Sequence, residues 1–141
     1  MVVDEFRLDL SLHHPFCDPR EITEELLLAP WFTARHGTKI GDVLHRTTTW
    51  LCHFRDGNTA PEFTKALEDT ASLVSEHEAF IARFIEQGGE VELGLNSAID
   101  SAFTFGDKVF ELSLSPSFLS GLADRGIQLR VQVWVANSGD K

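Results

Sequence analysis

Alternating apolar and polar positions predict the strands of this chain. Apolar residues occupy every second position over residues 5–13, 90–96 and 127–135. Residues 46–55 alternate too, and they are rich in threonine and aromatic side chains, which favour strands. A period of two is typical of a strand with one face on a core and the other in water. Two shorter strands, at 102–105 and 108–114, are predicted around a Gly106-Asp107 turn.

A period near 3.6 residues predicts one long helix at residues 61–87. Apolar side chains recur at steps of four and three from Phe63 to Phe84, and charged residues take the opposite side. Thr59 is the expected N-cap, Pro61 fits the first turn, and Gly88 ends the helix. This helix is expected to cover the apolar faces of the strands.

Two shorter helices and one loop complete the pattern. Asp18 is expected to cap a helix that begins at Pro19 and ends near Leu28, and a second short helix follows Ser115. Residues 29–42 contain Pro30, Gly37 and Gly41 and are predicted to be a loop. Their aromatic pair, Trp31 and Phe32, is expected to hold this loop against the body of the domain.

The predicted order β-α-β-α-β-β-α-β indicates an α+β fold, with a mixed, mostly antiparallel sheet and helices on one face. The connection lengths fit a ferredoxin-like relative. We expect a single domain over residues 1–141, made of two weakly similar halves joined by the helix at 61–87. The polar strand positions should form the uncovered face of the sheet: Arg7, Asp9, His13, His53, Arg55, Glu92, Gln128, Arg130, Gln132 and Trp134.

Composition excludes several classes of function. The net charge is −10, with only 12 Lys and Arg in 141 residues, so a nucleic-acid partner is not expected. No run of about eighteen apolar residues is present, and the N-terminus lacks an apolar signal segment. The two cysteines, Cys17 and Cys52, are too few for a disulfide framework and favour reduced thiols in the cytoplasm.

Several short motifs resemble those of one bacterial family. The motifs are Asp-Pro-x-Glu-Ile-Thr at 18–23, a Leu-x-x-Pro step at 27–30, and Glu-Leu-Ser-x-Ser-Pro-x-x-Leu at 111–119. A glycine-bearing loop at Gly37, a strand containing Trp50 and a long helix accompany them. The pattern resembles the bacterial family called domain of unknown function 4279, over nearly the whole chain. That family has no assigned activity, so the resemblance implies a fold and a bacterial origin but no mechanism.

The residues suited to chemistry form no convincing metal or nucleophile site. His13, His14 and Cys17 are close in sequence, but neighbouring residues of a strand point to opposite faces, so no metal site is predicted. Cys17 precedes a helix N-terminus, where the helix dipole favours a thiolate. Cys52 shares a face with Trp50, which indicates a core residue. No phosphate-binding or dinucleotide motif is present, and no cofactor is expected.

A histidine with a carboxylate is the most plausible catalytic arrangement, but strand geometry excludes the obvious pair. Asp9 and His13 share one side of the first strand, yet four residues at about 3.3 Å each separate them by about 13 Å. No catalytic residue is therefore assigned.

Three hypotheses remain. We favour a non-enzymatic protein-binding module, such as an immunity protein or a regulatory subunit, that uses its acidic surface, with self-association through the open sheet face as a variant. The face residues expected to take part are His13, His53, Arg130 and Trp134. The second hypothesis is a small-molecule site in the loop at 30–41, formed by Trp31, Phe32, Arg35 and His36. The third is an enzyme of unrecognised class, and on balance the absence of a catalytic constellation argues against it.

Overall fold

The computed structural model describes residues 5–100 and 113–136, and side chains within this part up to residue 97 and from 113 to 133. The strands are β1 (Glu5–His14), β2 (Phe32–Ala34), β3 (Lys39–Ile40), β4 (Val43–Leu44), β5 (Thr48–Gly57), β6 (Glu90–Asp100) and β7 (Gln128–Ala136). The helices are α1 (Pro19–Leu26), α2 (Ala60–Glu76), α3 (Glu78–Glu86) and α4 (Pro116–Asp124).

One sheet organises the described chain. Its strand order is β2-β5-β1-β6-β7, and a separate two-stranded ribbon pairs β3 with β4. All neighbours in the larger sheet are antiparallel except β6 and β7, which run parallel with α4 between them in sequence. The predicted α+β class and the mostly antiparallel sheet are confirmed.

The alternation of β1 decides where the core lies. Phe6, Leu8, Leu10 and Leu12 are buried, whereas the residues between them are only half-buried. The same periodicity buries Trp50 on β5, where its indole N–H donates to Thr23 Oγ1 of α1 at 3.0 Å. Apolar residues of all four helices join this core, so the helices pack on one face of the sheet, as expected.

The single helix predicted at 61–87 is wrong, because the structure has two helices there. α2 begins as predicted, with a capping box in which Thr59 accepts from Glu62 N–H and the Glu62 carboxylate accepts from Thr59 N–H. At His77 the backbone leaves the helical region, with φ −112° and ψ 25°. The His77 ring bonds Glu25 of α1 at 2.9 Å, so this break is tied to a neighbouring helix. Gly88, with φ 99°, follows α3 as predicted.

The segment at 29–42 is also more ordered than the predicted loop. It contains the edge strand β2, and the ribbon of β3 and β4 begins within it around a turn in which Gly41 has φ 61°. Trp31 N–H donates to Leu51 O at 2.9 Å, which joins the segment to β5. Strands of two or three residues are too short to show a period in the sequence, which explains the missed prediction.

Several predictions concern residues or features that the structure does not describe. The predicted strand at 102–105, the Gly106-Asp107 turn and most of the strand at 108–114 lie outside the described residues, as does the side chain of Trp134. The division into two similar halves stays a prediction. Among the described helices, none is long and apolar enough to cross a membrane.

Candidate functional site

The side of the sheet opposite the helices carries a row of polar side chains, which we call the open face. Its register pairs Asp9 of β1 with His53 of β5 and with Gly94 of β6. Further along β1, His13 pairs with Thr49. Within the part of the chain that the structure describes, no helix packs over these residues.

Asp9 is the hub of the open face. Its Oδ1 accepts from His53 Nδ1 at 2.9 Å and from Arg7 Nε at 3.0 Å, and its Oδ2 accepts from Asn96 Nδ2 at 2.8 Å. The Asp9 side chain is only 18% exposed, so these donors compensate a carboxylate that is largely removed from water. Because a carboxylate only accepts, the neutral form of His53 that makes this bond carries its proton on Nδ1 and has a lone pair on Nε2.

A β-bulge creates this alignment. The pairing of β1 with β5 shifts between Leu8 and Asp9, so that Leu8 lies opposite Arg55 and Asp9 opposite His53. The extra residue, Phe54, changes the parity of β5 beyond this point. Arg55, predicted for the uncovered face, therefore points towards α2 and bonds Asp69 at 2.9 Å. That part of the prediction is wrong.

The aromatic pair before β2 joins the open face. Trp31 stacks on His53, with ring centroids 5.3 Å apart and planes at 16°, and it remains 57% exposed. The ring centroid of Phe32 lies 5.8 Å from that of Trp31 and 6.1 Å from that of His45, the residue that follows β4. The β3-β4 ribbon carries three exposed apolar side chains: Ile40 and Val43 pair with each other and share one side of the ribbon, whereas Leu44 pairs with Lys39 and points to the other side.

The other loop residues of the predicted small-molecule site lie apart from Trp31. Arg35 reaches Asp18 at the start of α1, with 3.6 Å between Nη1 and Oδ2. His36 N–H donates to Thr48 Oγ1 at 3.2 Å, and Thr48 is a buried residue of the helix-covered face. The structure thus brings Trp31 together with His53 rather than with Arg35 and His36.

The remaining predicted face residues form separate pairs. His13 Nδ1 lies 3.3 Å from Thr49 Oγ1, and Arg130 of β7 contacts Glu92 of β6 at 2.8 Å. The backbone of Trp134 pairs with Ala98, and its side chain lies outside the described part.

A depression of about 380 Å³ borders the Asp9 hub where β1 begins and β5 ends. Two donors to Asp9, Arg7 and Asn96, line it. The rest of its lining is Glu5, Phe6, Asp56, Gly57 and Asn58. A mixture of cationic, anionic and amide groups around a hollow of this size suits a small polar molecule.

Neither cysteine has the lowered pKa of an activated thiol. Burial, with the Glu21 and Asp18 carboxylates nearby, raises the pKa of the Cys17 thiol to about 11. At Cys17, burial and the nearby carboxylates therefore outweigh the helix dipole, which by itself favours a thiolate. Burial also raises the pKa of Cys52, which lies in the core as predicted. In residues 5–100 and 113–136, no three His, Cys, Asp or Glu residues are placed to hold a metal ion.

Sequence reasoning missed the role of Asp9. It placed Asp9 and His53 on the open face, but it did not bring them together. The pairing register that places His53 Nδ1 2.9 Å from Asp9 Oδ1 depends on a bulge, and this bulge has no signature in the sequence. It also tested Asp9 only against His13 on the same strand. The sequence signal that could have revealed the pair was a histidine on one predicted strand and a carboxylate on another strand of the same face.

Comparison with known proteins identifies a family and adds no activity. No curated protein and no solved structure matches the chain. The family model described as a domain of unknown function (DUF4279) matches residues 4–136, which is nearly all of the sequence. The chain therefore belongs to the DUF4279 family.

Proposed function

We propose that the chain is a protein-binding module, of the immunity or regulatory-subunit kind, in the cytoplasm of a bacterium. The partner is a basic protein that docks on the open face and on the adjoining β3-β4 ribbon. The observation that carries this proposal is Trp31, a large aromatic residue that is 57% exposed and yet held in place by His53. Tryptophan is among the residues that most often dominate the energy of an interface.

The apolar continuity of this surface supports a protein rather than a small ligand. Trp31, Phe32 and His45 lead to the exposed side chains Ile40 and Val43 of the ribbon. Four of the strands have nine to eleven residues, so at about 4.8 Å between strands and about 3.3 Å per residue they give a face of about 14 by 33 Å. The three-residue strand β2 and the ribbon extend this face towards the roughly 800 Å² that one partner contributes to a standard interface.

Charge supports a basic partner. Among the residues whose side chains the structure describes, the register assigns five acidic residues and two arginines to the open face: Glu5, Asp9, Asp56, Glu90, Glu92, Arg7 and Arg130. The whole chain has a net charge of −10. Opposite charges steer association and disfavour acidic competitors, so binding should weaken as salt increases.

The test combines affinity capture with a matched pair of variants. Trp31→Ala removes the proposed anchor, and Leu119→Ser removes another exposed apolar residue, 40% exposed, from α4. A protein retained by the wild type is then purified, and its affinity for each variant is measured by calorimetry. We expect Trp31→Ala to weaken binding by about 30-fold or more, as an interface hot spot does, and Leu119→Ser to leave it unchanged.

Three results would count against the proposal: equal affinity of both variants, an acidic partner, or no specific partner at low and moderate salt. Light scattering tests the remaining possibility, which is self-association of the chain. A dimer that Trp31→Ala dissociates would mean that a second copy of the chain occupies the open face.

A small-molecule ligand is the second candidate, and the depression beside Arg7 and Asn96 favours it. A thermal-shift screen of metabolites tests this candidate, because a ligand that binds the folded state raises Tm. The rise in Tm that such a ligand causes should be absent in the variant Arg7→Gln. A screen with no stabilised hit would remove the candidate.

A further inference from the structure

His53 has the orientation of a catalytic base. Its Nδ1–H donates to Asp9 Oδ1 at 2.9 Å, so the ring is held in one tautomer and Nε2 is the basic atom. The side chain is 46% exposed, which makes that atom accessible to a reacting molecule. A histidine oriented by a carboxylate is the arrangement by which enzymes accept a proton from water or a hydroxyl group.

His53 is held by contacts with three neighbouring segments of the chain. Asp9 lies on β1, the central strand, and is fixed on one side by Asn96 of β6 at 2.8 Å and on the other by the ring itself. Trp31 stacks on the imidazole plane. The β-bulge brings His53 opposite Asp9, and bulges often redirect a side chain beside an active site.

The surroundings suggest a substrate class. The exposed indole of Trp31 offers a flat apolar surface beside the imidazole for an aromatic group. Arg7, whose Nε bonds the same Asp9 oxygen as His53, borders the depression of about 380 Å³ and brings its guanidinium group close to the imidazole. An aromatic surface, a base and a guanidinium together suit an aryl ester, whose carbonyl oxygen gains negative charge during hydrolysis.

We propose that the open face hydrolyses aryl esters with His53 as general base. Nε2 takes a proton from a water molecule as the water oxygen forms a bond to the ester carbonyl carbon. The bond from that carbon to the aryl oxygen then breaks, and the phenolate leaves with the electron pair. The carboxylic acid forms, and the imidazolium returns its proton to solvent or to the phenolate. Asp9 is the positioning residue.

The test measures hydrolysis of p-nitrophenyl acetate by the purified full chain. His53→Gln removes the base. The matched control is His77→Gln, because the ring of His77 also bonds a carboxylate at 2.9 Å, that of Glu25, but is only 16% exposed. We expect the His53 variant to lose at least about tenfold in rate over the buffer reaction and the control to keep the wild-type rate.

Two further measurements separate catalysis from a structural role. Free imidazole should restore hydrolysis to His53→Ala and leave the wild type unaffected after the buffer reaction with imidazole is subtracted. The wild-type rate should fall in D₂O, because the transferred proton moves in the rate-limiting step.

The proposal is overturned if the wild type is no faster than buffer, if His53→Gln keeps its rate, if imidazole fails to restore His53→Ala, or if D₂O has no effect. Circular dichroism of each variant shows that a lost rate does not come from unfolding. The outcome does not depend on the protein partner, since no partner is present in the assay.

Discussion

The two faces of the sheet are formed by the same strands but differ in the polarity of their side chains. On β1, the side chains facing the helices are buried and apolar, whereas Asp9, between Leu8 and Leu10, collects three polar donors on the open face. The helices also hold more than half of the net charge of −10, because α1, α2 and α3 carry nine Asp and Glu against three Lys and Arg. The covered face thus stabilises the fold, and the open face is the surface that we propose for recognition.

The largest expected difference between the faces is that between two tryptophans. Trp50 is fully buried and bonds Thr23, whereas Trp31 is exposed. Trp50→Ala should lower the free energy of unfolding by about 3 to 5 kcal/mol, because it leaves a cavity. Trp31→Ala should change it by less than about 0.5 kcal/mol. Urea titration followed by circular dichroism measures both, and similar losses in the two variants would refute the assignment of the faces.

Two adjacent histidines give the next difference. His14 is buried, its Nδ1 accepts from Phe16 and Cys17 N–H at 3.1 and 3.0 Å, and its Nε2 lies 3.0 Å from Gln87 Oε1. His14→Ala should cost about 2 to 3 kcal/mol, because it removes a fully buried ring together with its hydrogen bonds and its packing against Phe84. His13→Ala, on the open face, should cost less than about 0.5 kcal/mol. Chemical denaturation of both proteins measures the two costs, and a costly His13→Ala would contradict the account.

Two glycines, Gly89 and Gly94, differ in the space available for a side chain. A Cβ at Gly89 would lie 2.5 Å from the Phe84 ring and 2.6 Å from the Phe84 carbonyl oxygen. Gly89→Ala should therefore cost about 1 to 3 kcal/mol through overpacking. A Cβ at Gly94 would meet nothing closer than 3.7 Å, so Gly94→Ala should be neutral or slightly stabilising. Thermal unfolding distinguishes these results, and a neutral Gly89→Ala would show that the turn after α3 adapts.

The smallest expected effect is that of acid on Asp18, the N-cap of α1. Hydrogen bonds from Arg20 lower the pKa of its carboxyl from 3.8 to about 2. Since the folded pKa is below the unfolded one, this contribution is complete above about pH 4 and is lost as the pH falls towards 2. Asp18→Asn should flatten the fall in stability over that range, and salt should reduce the difference. An identical pH profile of the two proteins would contradict this.

The sequence predicted the core more fully than the site, for physical reasons. Alternation identifies the strands and their buried faces, and Thr59, Asp18 and Gly88 mark helix ends through local hydrogen bonds and backbone conformation. The break at His77, by contrast, accompanies a bond to Glu25, a residue far away in the chain. The approach of His53 to Asp9 requires a register shift between two strands. Such long-range pairings have no local pattern, so residues could be assigned to the open face but not to a shared site.

The most direct test of the central claim is hydroxyl-radical footprinting of the chain with and without its purified partner. The account predicts that Trp31 and the apolar residues of the β3-β4 ribbon lose reactivity on binding, while exposed residues of α1, α2 and α3 keep theirs. Protection of those helices, with Trp31 unchanged, would contradict the assignment of the open face as the functional surface.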